Sequence, residues 1–231
     1  MRESYIKIES IPTVVWGDKT DKVYLFIHGK FGCKEDAKAF AEIVSLKGWQ
    51  VVSIDLPEHG ERKEEKDSFD PWHVVPELTS VMGYIKQQWS KIALCANSIG
   101  AWFSMLSFAD EKLEKCLFVS PILDMKRLIQ NMMQWECVSE ERLEQEKEIE
   151  TGFGETLSWK YLMYVKEHPI NIWNTPTAIL YAGKDNLTEK DTVNAFVEKF
   201  HCKLEVMEDG EHWFHTCEQL AVLHQWINKS S

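Results

Sequence analysis

The chain has no apolar run approaching the ~18 residues that span a bilayer, no Cys-x-x-Cys pair, no internal repeat and no low-complexity tail. The first absence argues against a transmembrane helix. The second bears on the six cysteines, at positions 33, 95, 116, 137, 202 and 217. None has the paired spacing of a zinc site, and Cys95 and Cys116 fall inside predicted buried strands. They read as reduced thiols of a cytoplasmic protein, not as a disulfide framework or a metal centre. Positive charge is also short. Lys and Arg number 26 against 37 Asp and Glu, for a net charge of -11 and a pI near 5.2. Phosphate binding needs a basic surface, so neither nucleic acid nor an anionic membrane is an expected partner, and the excess acid serves solubility. The opening Met1-Arg2-Glu3-Ser4 lacks the features of a signal peptide and leads straight into an alternating strand pattern.

What is present is a pattern of alternation. With 231 residues, 44% of them hydrophobic, the chain is long enough for one α/β domain with a modest insertion. Short apolar or β-branched runs at 23–27, 51–54, 92–95, 116–120, 177–181 and 204–207 predict strands buried on both faces. Helical patterns fall between and after them, at 34–47, 71–89, 98–109, 189–200 and 213–228. Repeated β-α units predict a mostly parallel, twisted sheet with helices on both faces. Segments 5–11 and 13–16 predict antiparallel additions at one edge. The interval 121–176 is too long for a simple crossover. It holds an apolar, Met-rich stretch (124–135), an acidic, helix-favouring one (138–150), two glycines within 151–155 and an amphipathic stretch (158–168). These predict a small helical lid inserted into a core made of 1–120 and 177–231.

Four motifs carry chemistry, each just past the carboxyl end of a predicted strand, where open α/β sheets build their sites. Ala96-Asn97-Ser98-Ile99-Gly100 joins a strand to a helix. A sharp strand-to-helix turn strains the serine and lifts its hydroxyl clear of the backbone, and only small residues fit two before and two after it. It also aims a helix N-terminus at whatever the serine oxygen binds. His28-Gly29-Lys30-Phe31-Gly32 places backbone N–H groups at a strand end, and one of them paired with the Ile99 N–H makes an oxyanion hole. Lys30 is the expected loop donor and Phe31 the alternative; His28 is a structural anchor. Asp185 follows a third strand, with Thr188 suited to cap the next helix and leave Asp185 free. His212 follows a fourth strand and can accept the serine proton while its other nitrogen donates to Asp185. Asp124 is a rival acid, His59 a structural turn residue, and Cys95 a thiol too buried to react.

On these residues, together with Asp55-Leu56-Pro57-Glu58-His59-Gly60, the chain resembles the α/β-hydrolases over nearly its whole length. Ala96 in place of the usual first glycine, and Lys30 where an aromatic or glycine is common, are the departures. The resemblance implies an eight-stranded-type sheet with a lid after the sixth strand, Ser98 as nucleophile, His212 as general base and then acid, and Asp185 as its orienting partner. The expected substrate is a small or medium carboxylic ester, with no metal or organic cofactor; thioesters, amides and peptides stay open. Phe31, Met133, Trp135 and Trp159, with Met132, Met163 and Trp173, are expected to line an apolar pocket under the lid. A reading of another class is a non-catalytic binding protein that kept the fold.

Overall fold

The computed structural model describes all 231 residues. Eight strands form one sheet: β1 (Glu3–Ile8), β2 (Ile11–Trp16), β3 (Lys22–Ile27), β4 (Gln50–Ile54), β5 (Lys91–Asn97), β6 (Cys116–Val119), and, beyond a short hairpin β7 (Glu148–Glu150) and β8 (Thr156–Ser158), β9 (Thr177–Ala182) and β10 (Lys203–Met207). Their order is β1-β2-β4-β3-β5-β6-β9-β10. Strands β4 to β10 of that sheet run parallel, and β1 and β2 add antiparallel at the edge. The central strands are buried along nearly their whole length, as their mostly apolar runs require.

Connections are α1 (Lys38–Ser45), α2 (Pro71–Gln88), α3 (Ile99–Phe108) and α7 (Lys190–Phe200), with α8 (Cys217–Ser230) closing the chain. Alternate strand residues face opposite layers. Tyr24, Phe26, Cys95 and Val119 join Phe40 and Val44 of α1 and Trp226 and Ile227 of α8 in one buried cluster. Ile27, of opposite parity, meets Gly100 of α3 on the other face.

The chain divides into two compact units, Met1–Leu123 with Ile172–Ser231, and Asp124–Asn171. The second contains α4 (Met125–Trp135), α5 (Glu140–Glu146), the β7–β8 hairpin and α6 (Trp159–Glu167). It is shorter than the expected 121–176 because both flanks belong to the sheet unit. The Pro121 carbonyl accepts the Thr188 hydroxyl at 2.9 Å. Trp173 is buried, stacks on Phe118 and donates its indole N–H to Thr177 Oγ1 at 2.7 Å, so it is core and no part of the insertion.

Three local expectations change. The acidic stretch 138–150 is not one helix: Lys147 adopts φ 69°, ending α5, and the chain turns into the hairpin. The last helix starts at Cys217, not at 213. Thr216 and Gln219 form a reciprocal capping box there, and the preceding residues are spent on the loop that carries His212. Finally, 34–47 opens as a 3-10 turn over Lys34–Ala37 before α1 begins.

Candidate active site

The order of strands reverses around β3. The chain steps from β3 to β4 on one side, then returns to β5 on the other. Such a switch point opens a crevice at the carboxyl ends of the two strands. Ile27 pairs with Ala96, so the strands end level and bring His28-Gly29 beside Asn97-Ser98.

Ser98 sits at φ 50°, ψ -124°. A non-glycine residue is held there only when its surroundings over-determine it. The hydrogen bonds do so: its N–H donates to the Val119 carbonyl at 3.0 Å, and its own carbonyl accepts from Ala101 and Ile122. Two positions later a Cβ would stand 2.5 Å from the His28 carbonyl oxygen and 2.8 Å from that of Ile27. Glycine at position 100 is therefore a packing necessity. Ala96 is fully buried in the strand, and its methyl is accommodated where the usual motif has none.

β9 and β10 end level in the same way, Ala182 opposite Met207. Gly183 and Lys184 donate to the Met207 and Gly210 carbonyls, which fastens together the two loops that follow. A Cβ at position 183 would lie 2.4 Å from the Glu208 carbonyl oxygen, so this close approach also needs glycine. The result is a hydrogen-bonded chain across sequence separations of 114 and 27 residues. Ser98 Oγ lies 2.8 Å from His212 Nε2, and His212 Nδ1 lies 2.7 Å from Asp185 Oδ2. The Asp185 carboxylate is fully buried, and its other oxygen accepts the Leu187 and Thr188 amides at 2.8 and 3.0 Å. With acceptors only on the carboxylate, Nδ1 carries the hydrogen and Nε2 is free to accept from the serine hydroxyl.

Thr188 does not cap the helix as the sequence suggests. Its hydroxyl goes to Pro121, and α7 begins at Lys190 without a side-chain cap. Asp124 is an exposed N-cap whose Oδ1 accepts the Arg127 amide at 2.9 Å. His215 is exposed and stacks against Trp213.

The loop after β3 is braced by two imidazoles. His28, fully buried, accepts the Leu56 amide on Nε2 at 3.0 Å and donates from Nδ1 to the Gly29 carbonyl at 2.7 Å. Burial pushes its pKa down to about 4, so it is neutral. His59 Nε2 accepts the Phe31 amide at 3.0 Å while Nδ1 donates to the Pro57 carbonyl. The Phe31 N–H, the alternative donor of the sequence analysis, is thus engaged. Positive φ in this loop falls on Phe31, at 65°, and on neither glycine. Ile99 is the first residue of α3, where an N–H has no carbonyl four residues back.

Behind the loop, Asp55 accepts the Lys34 amide at 2.8 Å and its ammonium at 2.9 Å, both residues being buried. Burial alone would lower the Lys34 pKa, but hydrogen bonds to Glu61, Asp55 and Glu35 outweigh it and hold the ammonium charged. His59 is thus the structural turn residue the sequence suggests, whereas the Lys34–Asp55 pair had no signal in the sequence beyond Asp55 at a strand end.

A cavity of about 550 Å³ adjoins Ser98 and His212, with Phe31 and Lys30 at its border. All its lining residues belong to the sheet unit. Of the residues expected in a lid pocket, Met133 is buried within the inserted unit. There Trp135 packs edge-on against Phe153, and Trp159 takes the Lys147 and Lys166 ammonium groups on its ring.

This combination of mostly parallel sheet, strand order and helical layers is the α/β-hydrolase fold. No protein-family model and no curated protein matches the chain by sequence. Solved structures do resemble it. The esterase Est1E from Butyrivibrio proteoclasticus, bound to ferulic acid, is 18% identical with a TM-score of 0.77, over 98% of this chain and 96% of that one. Mouse alpha/beta hydrolase domain-containing protein 10 is 13% identical with a TM-score of 0.77, over 99% and 98%. A Pyrococcus furiosus esterase is 16% identical with a TM-score of 0.66, over 99% and 89%. At these identities the likeness is one of fold.

Proposed function

We propose that the chain is a serine hydrolase that cleaves a small or medium carboxylic ester through an acyl-enzyme. The observation that carries this is the pair of contacts at His212, 2.8 Å to Ser98 Oγ and 2.7 Å to Asp185 Oδ2. As Ser98 Oγ attacks the ester carbonyl carbon, its proton passes to His212 Nε2. The imidazolium is stabilised by the buried Asp185 carboxylate. The carbonyl oxygen becomes an oxyanion and accepts from the Ile99 and Lys30 amides. As the tetrahedral species collapses, the bond to the alcohol oxygen breaks and His212 returns its proton to that oxygen. Water then attacks the acyl-enzyme with His212 again taking the proton, and Ser98 leaves as the hydroxyl. Every step uses groups of this chain and water alone.

Hydrolysis of p-nitrophenyl acetate by the wild type and by Ser98→Ala tests the assignment, with covalent labelling by a fluorophosphonate beside it. The expected result is turnover and labelling in the wild type and neither in the variant. Equal rates in both proteins overturn the role of Ser98. A wild type that neither turns over ester nor takes the label is a binding protein on this fold.

A further inference from the structure

We propose that the groove between α1 and α8 holds an apolar arm of the substrate, a proposal that rests on Ser98 being the nucleophile. The cavity beside Ser98 measures about 550 Å³, inside the range of roughly 300–1,000 Å³ typical of small-molecule sites. It does not end at the reacting groups. Its floor is the sheet face at Phe26, Cys95 and Val119, and its sides are Phe40 of α1 with Leu223 and Ile227 of α8. Five of these six are at most 7% exposed, so the surface is fixed by core packing.

The polar groups are distributed as an apolar ligand requires. The charged residues on the lining, Lys30 and Asp36, and His224 of α8 are exposed. Among the lining residues the buried polar atom without a partner is Asn97 Oδ1, next to the nucleophile. At the mouth stand Phe31, 88% exposed, and Trp213, 75% exposed. Isolated exposed aromatics are ordinary. Two bordering one cavity that also adjoins Ser98 and His212 give that cavity an apolar entrance.

Continuity with Ser98 and His212 fixes the occupant. Whatever lies in the groove is bonded, directly or through the ester oxygen, to the carbonyl carbon that Ser98 attacks. It is an unbranched or aryl apolar arm of several carbons, carried by either the acyl or the alcohol half of the ester. Of the residues expected to line a substrate pocket, Phe31 borders this groove, whose walls are helices and strands of the sheet unit.

Two ester series separate the halves: p-nitrophenyl esters from acetate to octanoate, and acetates of alcohols from methyl to octyl. In the wild type kcat/KM is expected to rise roughly threefold per added methylene in one series until the groove is full, as burial of each methylene predicts. Leu223→Trp, which puts an indole into the groove, and Ala39→Phe, which narrows it from an exposed position on α1, are each expected to lower the long-to-short ratio of kcat/KM about tenfold. A slope in the acyl series, lost in the variants, supports an arm on the carbonyl carbon; a slope in the alcohol series supports one on the leaving group. Flat series, or slopes unchanged in both variants, overturn the groove while fluorophosphonate labelling of Ser98 still stands. Failure of that labelling overturns both proposals.

Discussion

His59 accepts the amide hydrogen of Phe31 on Nε2 at 3.0 Å, across 28 residues of chain. The acceptor fixes the loop after β3 at the residue following Lys30, whose amide is the proposed oxyanion donor. His59→Ala leaves the Phe31 N–H without this partner and frees the loop. Losing an oxyanion donor outright costs on the order of 100- to 1,000-fold, so a loosened donor is expected to cost about 10- to 100-fold in kcat, with KM changing far less. Steady-state kinetics on p-nitrophenyl acetate check this, and a kcat within twofold of wild type would remove His59 from the account of the site.

Asp185→Asn has a sharper consequence than loss of a charge. The Leu187 and Thr188 amides both point at Oδ1, so an asparagine must turn its oxygen to them and its NH2 to His212 Nδ1. That nitrogen must then accept, the hydrogen moves to Nε2, and the imidazole no longer takes a proton from Ser98. A fall in kcat on the order of 10⁴ is expected, with the fold intact by circular dichroism. Activity within tenfold of wild type is the outcome that contradicts the tautomer assignment.

Gly100→Ala drives a methyl against the His28 and Ile27 carbonyl oxygens, at 2.5 and 2.8 Å. Both are strand and strand-end backbone, so neither yields cheaply. The expected loss is about 3 kcal/mol in unfolding free energy, read from urea midpoints at constant m-value. Gly83, with open space around it, is the control at which alanine does not destabilise.

The buried imidazole of His28 makes stability pH-dependent in one direction. Its pKa is about 4 in the folded chain against an ordinary 6.5. Above 6.5 it is neutral in both states and contributes no slope. As pH falls from 6.5 toward 4, the unfolded chain takes up a proton that the folded one refuses, and stability drops by up to about 3 kcal/mol. Denaturant curves between pH 7.5 and 4.5 are expected to fall more steeply for the wild type than for His28→Gln; parallel curves would falsify this role.

Much of this architecture was legible because burial on both faces leaves a plain mark. The strands that became β3, β4, β5, β6 and β9 are built on short, mostly apolar runs, and a reactive residue type follows four strands of the sheet. The antiparallel edge was visible too, although Glu9, at φ 54°, places the turn within the segment expected to be strand. The β7–β8 hairpin was not legible: its strands are three residues long, and Glu148 and Glu150 flank a single buried isoleucine. The groove was hidden for a different reason. Phe40 and Ile227 read as ordinary core positions of two amphipathic helices, and only their meeting across most of the chain creates a cavity between them.

Cys95 shares that cavity with Ser98, yet its thiol is buried in a strand and its pKa is raised by that burial. A thiolate in the same place would put a negative charge into an otherwise apolar wall. Kept protonated by its burial in the strand, the sulfur adds to the cavity a small, uncharged, polarizable surface.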